Sequence, residues 1–308
     1  MELKTFLFHR VHPQRDPMWD PIDPLHFDFI IKTLSEQFEL VQFEKFMLGD
    51  HKQQTNKPLA SVVFDDGYKD FIEYALPVLK KYNCPASMYI VTNCINNQLP
   101  PWTYILDEQL YHTQKLVLDF SSTMIAGLNK KFVFKNVEER MEFGRKLKIR
   151  LKQIPNNLRL HICKLVSEQF DDVIISDSLM MTWEELKQIS EEGVEIGSHS
   201  KSHPLLAKIE SEFDLKEELE DAYKEISLHL GKPPISISYP VGSYNQHVME
   251  IASQVGYKLG LAVLQRSFRV SKVQMMGIPR IELYNESVFK TKLRMSGKLE
   301  QIKKLIGR

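Results

Sequence analysis

Short apolar runs alternate along this chain with longer stretches whose apolar residues recur every three or four positions, the pattern of repeated β-α units. Thr5 to Phe8 reads as a strand and residues 24 to 38 as a helix. Ala60 to Phe64 reads as a buried strand, followed by a helical pattern through Phe71, Ala75, Leu76 and Leu79 and a strand over Ala86 to Val91. In the second half, Thr182-Trp183-Glu184-Glu185 has the form of a capping box and opens a helix through Leu186 and Ile189 that stops at Gly193. A short strand follows over Val194 to Ile196. Ser211 to Leu230 places Leu215, Leu219, Ala222, Tyr223, Ile226 and Leu230 on one helical face, ending at Gly231. Ile235 to Ser238 is a strand, Asn245 caps a helix running to Val255, and Tyr257 to Val263 and Ile278 to Leu283 are later strands.

Residues 98 to 180 break this rhythm. They read as mainly helical, and Lys130 to Lys152 holds nine Lys or Arg against three Glu. The expectation is one domain over residues 1–308, with 98–180 as an insertion in it rather than a separate folded unit.

Composition narrows the function classes. At 43% hydrophobic and 26% charged residues, the 308-residue chain is of ordinary soluble globular type. Forty basic residues balance forty acidic ones, so no overall field points to nucleic acid. Cys84, Cys94 and Cys163 form no Cys-x-x-Cys pair, and an odd, sparse set suits reduced thiols. The N-terminus has no basic start, long apolar core or small-residue cleavage site, and no run of 18 apolar residues occurs, so a cytoplasmic location is expected. The basic stretch from Lys290 to Arg308, with Leu299, Ile302 and Leu305 as an apolar face, suits either a solvated terminal helix or peripheral contact with an anionic membrane.

Three polar clusters each fall just after a predicted strand: Asp65-Asp66-Gly67, His199 to Pro204, and Tyr239-Pro240-Val241-Gly242. In a parallel β/α barrel the C-terminal strand ends converge on one mouth, where catalytic groups sit. Adjacent carboxylates such as Asp65 and Asp66 repel, so burying both requires a cation or hydrogen-bond donors. The alternative is an Asp-Asp-Gly turn that merely links strand to helix. His199 and His203 are four apart, a spacing that on a helical turn puts both imidazoles on one side, close enough to share a metal. Two histidines and one carboxylate leave coordination positions open for chemistry. The alternative is a polar loop with one capping and one solvated histidine.

These motifs resemble the polysaccharide deacetylases, the NodB-homology group of carbohydrate esterase family 4. Val63 to Gly67 resembles their first motif, His199 to Pro204 their His-(Ser/Thr)-x-x-His motif, and Ser238 to Asn245 their Pro-Tyr-Gly region. The resemblance covers roughly 60–95 and 180–285, in order. It implies an α/β fold, a distorted (β/α)7 barrel, here with the mainly helical insertion. It also implies Asp66, His199 and His203 as ligands of a divalent metal, zinc with cobalt or nickel as alternatives, and Asp65 as general base. Val241 would supply an oxyanion-binding N–H, flanked by Tyr239 and Pro240. The substrate implied is an N-acetylated carbohydrate, an N-acetylhexosamine unit of a glycan or lipid-linked precursor.

Two departures matter. The family carries a Leu-x-His motif near the C-terminus that supplies the general acid, and no histidine follows His247 here; Leu7-Phe8-His9 takes its place. First and last strands of a closed barrel are neighbours, so this order preserves the geometry and resembles a permuted exopolysaccharide deacetylase subgroup. His9 is therefore the expected acid. The family's third motif also carries an arginine beside the catalytic Asp, absent from residues 235 to 239; Arg280 is the replacement, or else a surface ion-pair partner. Val241 stands where the family has an aromatic residue. Among the aromatics Trp102, Trp183 and Tyr244, an amphipathic aromatic in a helix is more often packing, so Trp183 reads as core, and Trp102, after Pro100-Pro101, is the expected sugar platform at the mouth, with Tyr244 as a further candidate. Rival readings are an amidohydrolase or esterase for another acylated substrate, and a non-catalytic carbohydrate-binding barrel.

Overall fold

The computed structural model describes residues 2–51, 53–269 and 275–305. Seven parallel strands close into a barrel: β1 (Glu2–Phe8), β3 (Leu59–Phe64), β4 (Ala86–Ile90), β7 (Glu195–Ser198), β8 (Ser236–Ser238), β9 (Leu259–Val263) and β11 (Ile278–Glu282). They pair in the order β1-β11-β9-β8-β7-β4-β3, and β3 returns to β1 to close the ring. The first strand thus sits between the third and the last. Two short strands extend the sheet, β2 (Glu39–Leu40) parallel on β3 and β10 (Phe268–Arg269) antiparallel on β1.

Burial on both faces explains why these strands read as near-continuous apolar runs rather than alternating ones. On β1, Leu3 and Leu7 join Leu59, Val63, Tyr89, Leu259, Leu261 and Ile278 in a cluster inside the barrel. Phe6 and Phe8 point the other way, onto Phe27, Ile30, Ile31 and Leu34 of helix α1 (Pro24–Gln37), which Asp23 caps. Helix α2 (Phe43–Met47) closes the barrel base with Phe43, Phe46 and Met47. There Glu195, at the start of β7, accepts from the Glu44 and Lys45 N–H groups.

Helices cover the outside: α3 (Leu76–Lys81), α4 (Thr92–Asn97), α8 (Trp183–Glu191), α9 (Glu212–Leu230) and α10 (Gln246–Val255). The capping box at Thr182 and Glu185 forms as expected, and Asn245 caps α10. The pattern through Phe71 to Leu79 is not one helix: a π-helical turn over Phe71–Ala75 precedes α3, whose second residue is Pro77.

The 98–180 segment comprises α5 (Trp102–His112), a hairpin of β5 (Val117–Asp119) and β6 (Lys131–Val133), α6 (Val137–Leu151) and α7 (Asn156–Gln169). The antiparallel hairpin is an addition to the helical expectation. The segment has its own apolar cluster, including Leu106, Leu110, Phe120, Leu147, Ile162 and Phe170. Buried Arg140 donates to the Leu110, Tyr111, Thr113 and Lys115 carbonyls, which would otherwise be orphaned at the end of α5. The return to the barrel is pinned by Lys69 N–H to Leu179 O and Met181 N–H to Gly67 O.

The C-terminal stretch is two helices, α11 (Val288–Ser296) and α12 (Lys298–Leu305), broken at Gly297, whose φ is +81°. Arg294 is buried and paired with Glu286, and Ile302 is exposed. The Leu305 side chain and residues 306–308, part of the expected apolar and basic face, lie outside the described residues. Among the described residues, no helix is long and apolar enough to cross a membrane.

Candidate metal centre and active site

Alternation along each strand selects what reaches the barrel mouth. Residues two apart share a face, so the inward series Leu3, Thr5, Leu7 continues to His9, and Leu59, Ser61, Val63 continues to Asp65. The β1–β3 register sets Leu7 beside Val63, which brings His9 and Asp65 to one level. The same alternation puts His199 after β7, Ser238 at the end of β8, Val263 at the end of β9, and Arg280 and Glu282 on β11. His9, Asp65, His199, Val263 and Glu282 line one cleft of about 220 Å³.

Asp66, His199 and His203 each offer a ligand atom within 4.8 Å of the others, and all three are buried. Asp66 Oδ1 lies 3.5 Å from Nε2 of both His199 and His203. Donor atoms of a tetrahedral zinc site, each 2.0–2.2 Å from the ion, are about 3.4 Å apart, so the spacing fits a divalent ion among them. Asp66 Oδ1 is a buried oxygen with no hydrogen-bond partner, as a ligand atom should be. The second nitrogen of His199, Nδ1, donates to Ser238 O at 2.7 Å, which leaves Nε2 unprotonated toward the centre. Burial pushes the His203 imidazole well below its usual range, keeping it neutral, and raises Asp66, so a cation is what would keep that carboxylate ionised.

The two histidines do not lie on a helical turn. Ser200 and His203 have φ of +66° and +56°, so residues 199–203 form an irregular loop that turns the rings together, 5.0 Å between centroids. Asp66 has φ of +79°. Non-glycine residues in this region carry strain, and three of them surround one centre.

Asp65 is 2% exposed and fully engaged: Oδ1 accepts from Arg280 Nη1 at 2.8 Å, and Oδ2 from Ser238 Oγ at 2.9 Å. Burial acts to raise its pKa, but the Arg280 guanidinium, then His199 and His9, outweigh it and hold the carboxyl well below the usual carboxylate range. Arg280 is fully buried, so it is no surface ion pair. His9 Nδ1 lies 3.6 Å from Glu282 Oε1, and its ring packs edge-on to Trp19 at 5.1 Å.

The third cluster divides. Val241 has a left-handed backbone (φ +57°), is 38% exposed and lines the cleft. Tyr239 and Pro240 are buried and do not line it. The Tyr239 ring stacks on Tyr244 and its hydroxyl donates to Met276 O, so this pair anchors the turn that presents Val241.

The aromatic expectation needs correction. Trp102 is not at the cleft: its Nε1 donates to His203 O at 3.0 Å, and the Arg159 guanidinium sits 4.7 Å over its ring. It ties the loop of His199 to His203 to the insertion. Trp183 stacks on His229 and donates to Asn96. The aromatics that line the cleft are Trp19 and Tyr104. Sequence reading also passed over Ser238 and Glu282; inward parity at the ends of β8 and β11 was the signal that could have found them. Thr103, Asp107, Lys148 and Lys152 complete the lining from the insertion.

A family model described as polysaccharide deacetylase matches residues 52–146 and 151–260 of this chain. The Bacillus subtilis protein YxkH, named as a polysaccharide deacetylase, is 30% identical over 81 residues, 26% of this chain and 29% of that protein. The match thus spans under a third of this curated relative. Among solved structures, the Streptococcus pyogenes deacetylase PplD in complex with acetate superimposes with a TM-score of 0.61 at 17% identity, covering 96% of this chain and 97% of that one. A de-N-acetylase from Aggregatibacter actinomycetemcomitans gives 0.57 at 17% identity, covering 95% and 98%. IcaB from Ammonifex degensii gives 0.59 at 15%, covering 96% and 97%. At these identities the likeness is one of fold, and it extends over nearly the whole of each chain. Because the family model spans well over half of the sequence, the chain belongs to the polysaccharide deacetylase family of hydrolases.

Proposed function

We propose that this protein is a metal-dependent deacetylase that hydrolyses the N-acetyl group of an N-acetylhexosamine unit in a glycan or lipid-linked glycan precursor. The observation that carries this reading is the triangle of Asp66, His199 and His203 with the anionic carboxylate of Asp65 beside it. Two imidazoles and a carboxylate suit zinc, with cobalt or nickel as alternatives. A divalent ion held there supplies Lewis acidity and makes a water nucleophile accessible near neutral pH.

The chain's own groups then divide the work. Asp65, oriented by Arg280 and Ser238, takes the proton of the attacking water. The Val241 N–H, presented by its left-handed backbone, donates to the oxyanion that forms on the acetyl carbonyl. His9 protonates the leaving amine, with Glu282 Oε1 3.6 Å from its Nδ1 on the side away from that amine. Trp19 and Tyr104 offer ring faces to the sugar.

The test is Asp65→Asn. Acetate release from N-acetylglucosamine oligomers should fall by about 10²–10⁴-fold, while metal content stays that of the wild type. Near-normal release by this variant sinks the assignment of the base. Faster acetate release from O-acetyl xylan than from N-acetylglucosamine oligomers by the wild type sinks the amide substrate.

A further inference from the structure

The insertion turns two lysines toward the cleft. Lys148 lies in the last turn of α6 and Lys152 is its C-cap, four residues on, so the two share one face, and both line the cleft with His9, Asp65, His199 and His203. Like charges at this spacing repel, by about 0.2–0.5 kcal/mol on an isolated helix. Only one of the two is neutralised: Lys148 Nζ is 2.6 Å from Asp107 Oδ2, a carboxylate on α5. Among the described residues Lys152 makes no ion-pair contact; Glu282 and Asp107 act on it only from farther off. Glu282 is engaged elsewhere, at His9 Nδ1 and at the Tyr284 hydroxyl. Lys152 is exposed, and partial desolvation where it meets the cleft, then the charge of Lys148, lowers its ammonium from the ordinary value despite those two carboxylates. Asp107 is buried, and its Oδ1 has no hydrogen-bond partner. The insertion wall therefore presents an uncompensated cation to the space where the sugar would lie.

Resting on the deacetylase reading, we propose that Lys148 and Lys152 form a subsite for an oxyanion carried by the substrate, a phosphate ester or a carboxylate on the deacetylated sugar or its neighbour. Two ammonium groups on one face give a single oxyanion two charge-assisted donors. Asp107 holds Lys148 in place through Oδ2.

Three compounds separate the outcomes: neutral N,N'-diacetylchitobiose, N-acetylglucosamine 1-phosphate, and a disaccharide of N-acetylglucosamine and glucuronic acid. With metal-loaded wild type, kcat/KM for one acidic compound should exceed that for the neutral one by about tenfold. The compound that does so names the source of the oxyanion. Lys152→Met should remove this preference through KM, with kcat little changed, and Lys148→Met should reduce it. Equal treatment of all three compounds by the wild type overturns the subsite, as does a preference that survives Lys152→Met and so belongs to the metal. If no compound is hydrolysed, the deacetylase reading fails separately. Calorimetric binding of the same compounds then still judges the subsite, and equal affinities for neutral and acidic ones overturn it.

Discussion

Arg280 reaches Asp65 from the last barrel strand, its Nη1 2.8 Å from Asp65 Oδ1, and both side chains are shut off from solvent. The guanidinium, more than any other group, keeps this buried carboxylate anionic.

Arg280→Met is expected to leave that charge unpaired, which costs about 3–5 kcal/mol when a buried pair is broken. Asp65 titrates below its usual range in the folded protein, so its contribution to stability is present above that range and is lost as pH falls through the folded pKa. The gap in unfolding free energy between wild type and variant should therefore persist at neutral pH and shrink in strong acid, as read by urea unfolding across pH. The acidic limb of kcat/KM should move to higher pH, because burial then governs Asp65. A variant with an unmoved acidic limb shows that Arg280 does not set the charge of the base.

Trp102 lies off the cleft lining, against the loop of His199 to His203. Its indole N–H fixes the His203 carbonyl, so Trp102→Phe should loosen the metal loop while leaving the cleft lining intact. Metal affinity, measured by competition with a chelator, should drop about 10–100-fold, the usual effect of removing a group that orients a ligand. At saturating metal, KM for the glycan should stay near that of the wild type. Unchanged metal affinity with a raised KM would restore Trp102 to the substrate site.

At the opposite end of the barrel, Glu44 is buried beside Glu195 and hydrogen-bonded by Ser236 Oγ. Burial first, and Glu195 second, raise its pKa to about 7. A carboxyl raised on folding stabilises the protein while it stays protonated, and that stability is lost as pH rises from the unfolded value through about 7. Glu44→Gln mimics the protonated form. It should match the wild type near pH 4.5 and exceed it above pH 8 by on the order of 2–3 kcal/mol, measured by denaturant unfolding at both pH values. An equal offset at both ends means that Glu44 does not titrate in this range.

Much of the architecture was legible because it is written in local periodicity. The capping box at Thr182, the stripe from Leu215 to Leu230 and the run over Ala60 to Phe64 each specify an element without help from distant residues. The same periodicity, extended one residue past each strand, aims His9 and Asp65 into the mouth. The histidine loop was less legible: a spacing of four suggests a helical turn, but the left-handed Ser200 and His203 bring the rings together by another route. The hairpin of β5 and β6 was missed because its three-residue strands are too short to show a period.

By itself the sequence determined the seven barrel strands and the main covering helices, the side of each strand that faces inward, and the residue types gathered at the strand ends. Tertiary structure alone decided the partners. Arg280 and Asp65 are 215 positions apart, and their contact depends on which strands are neighbours in the closed ring and on their register. The same holds for Glu282 beside His9, for Trp19 rather than Trp102 in the cleft, and for the lysines that the insertion folds over it. Periodicity is a property of a dozen neighbouring residues, whereas a buried contact across the barrel depends on how every strand between has packed.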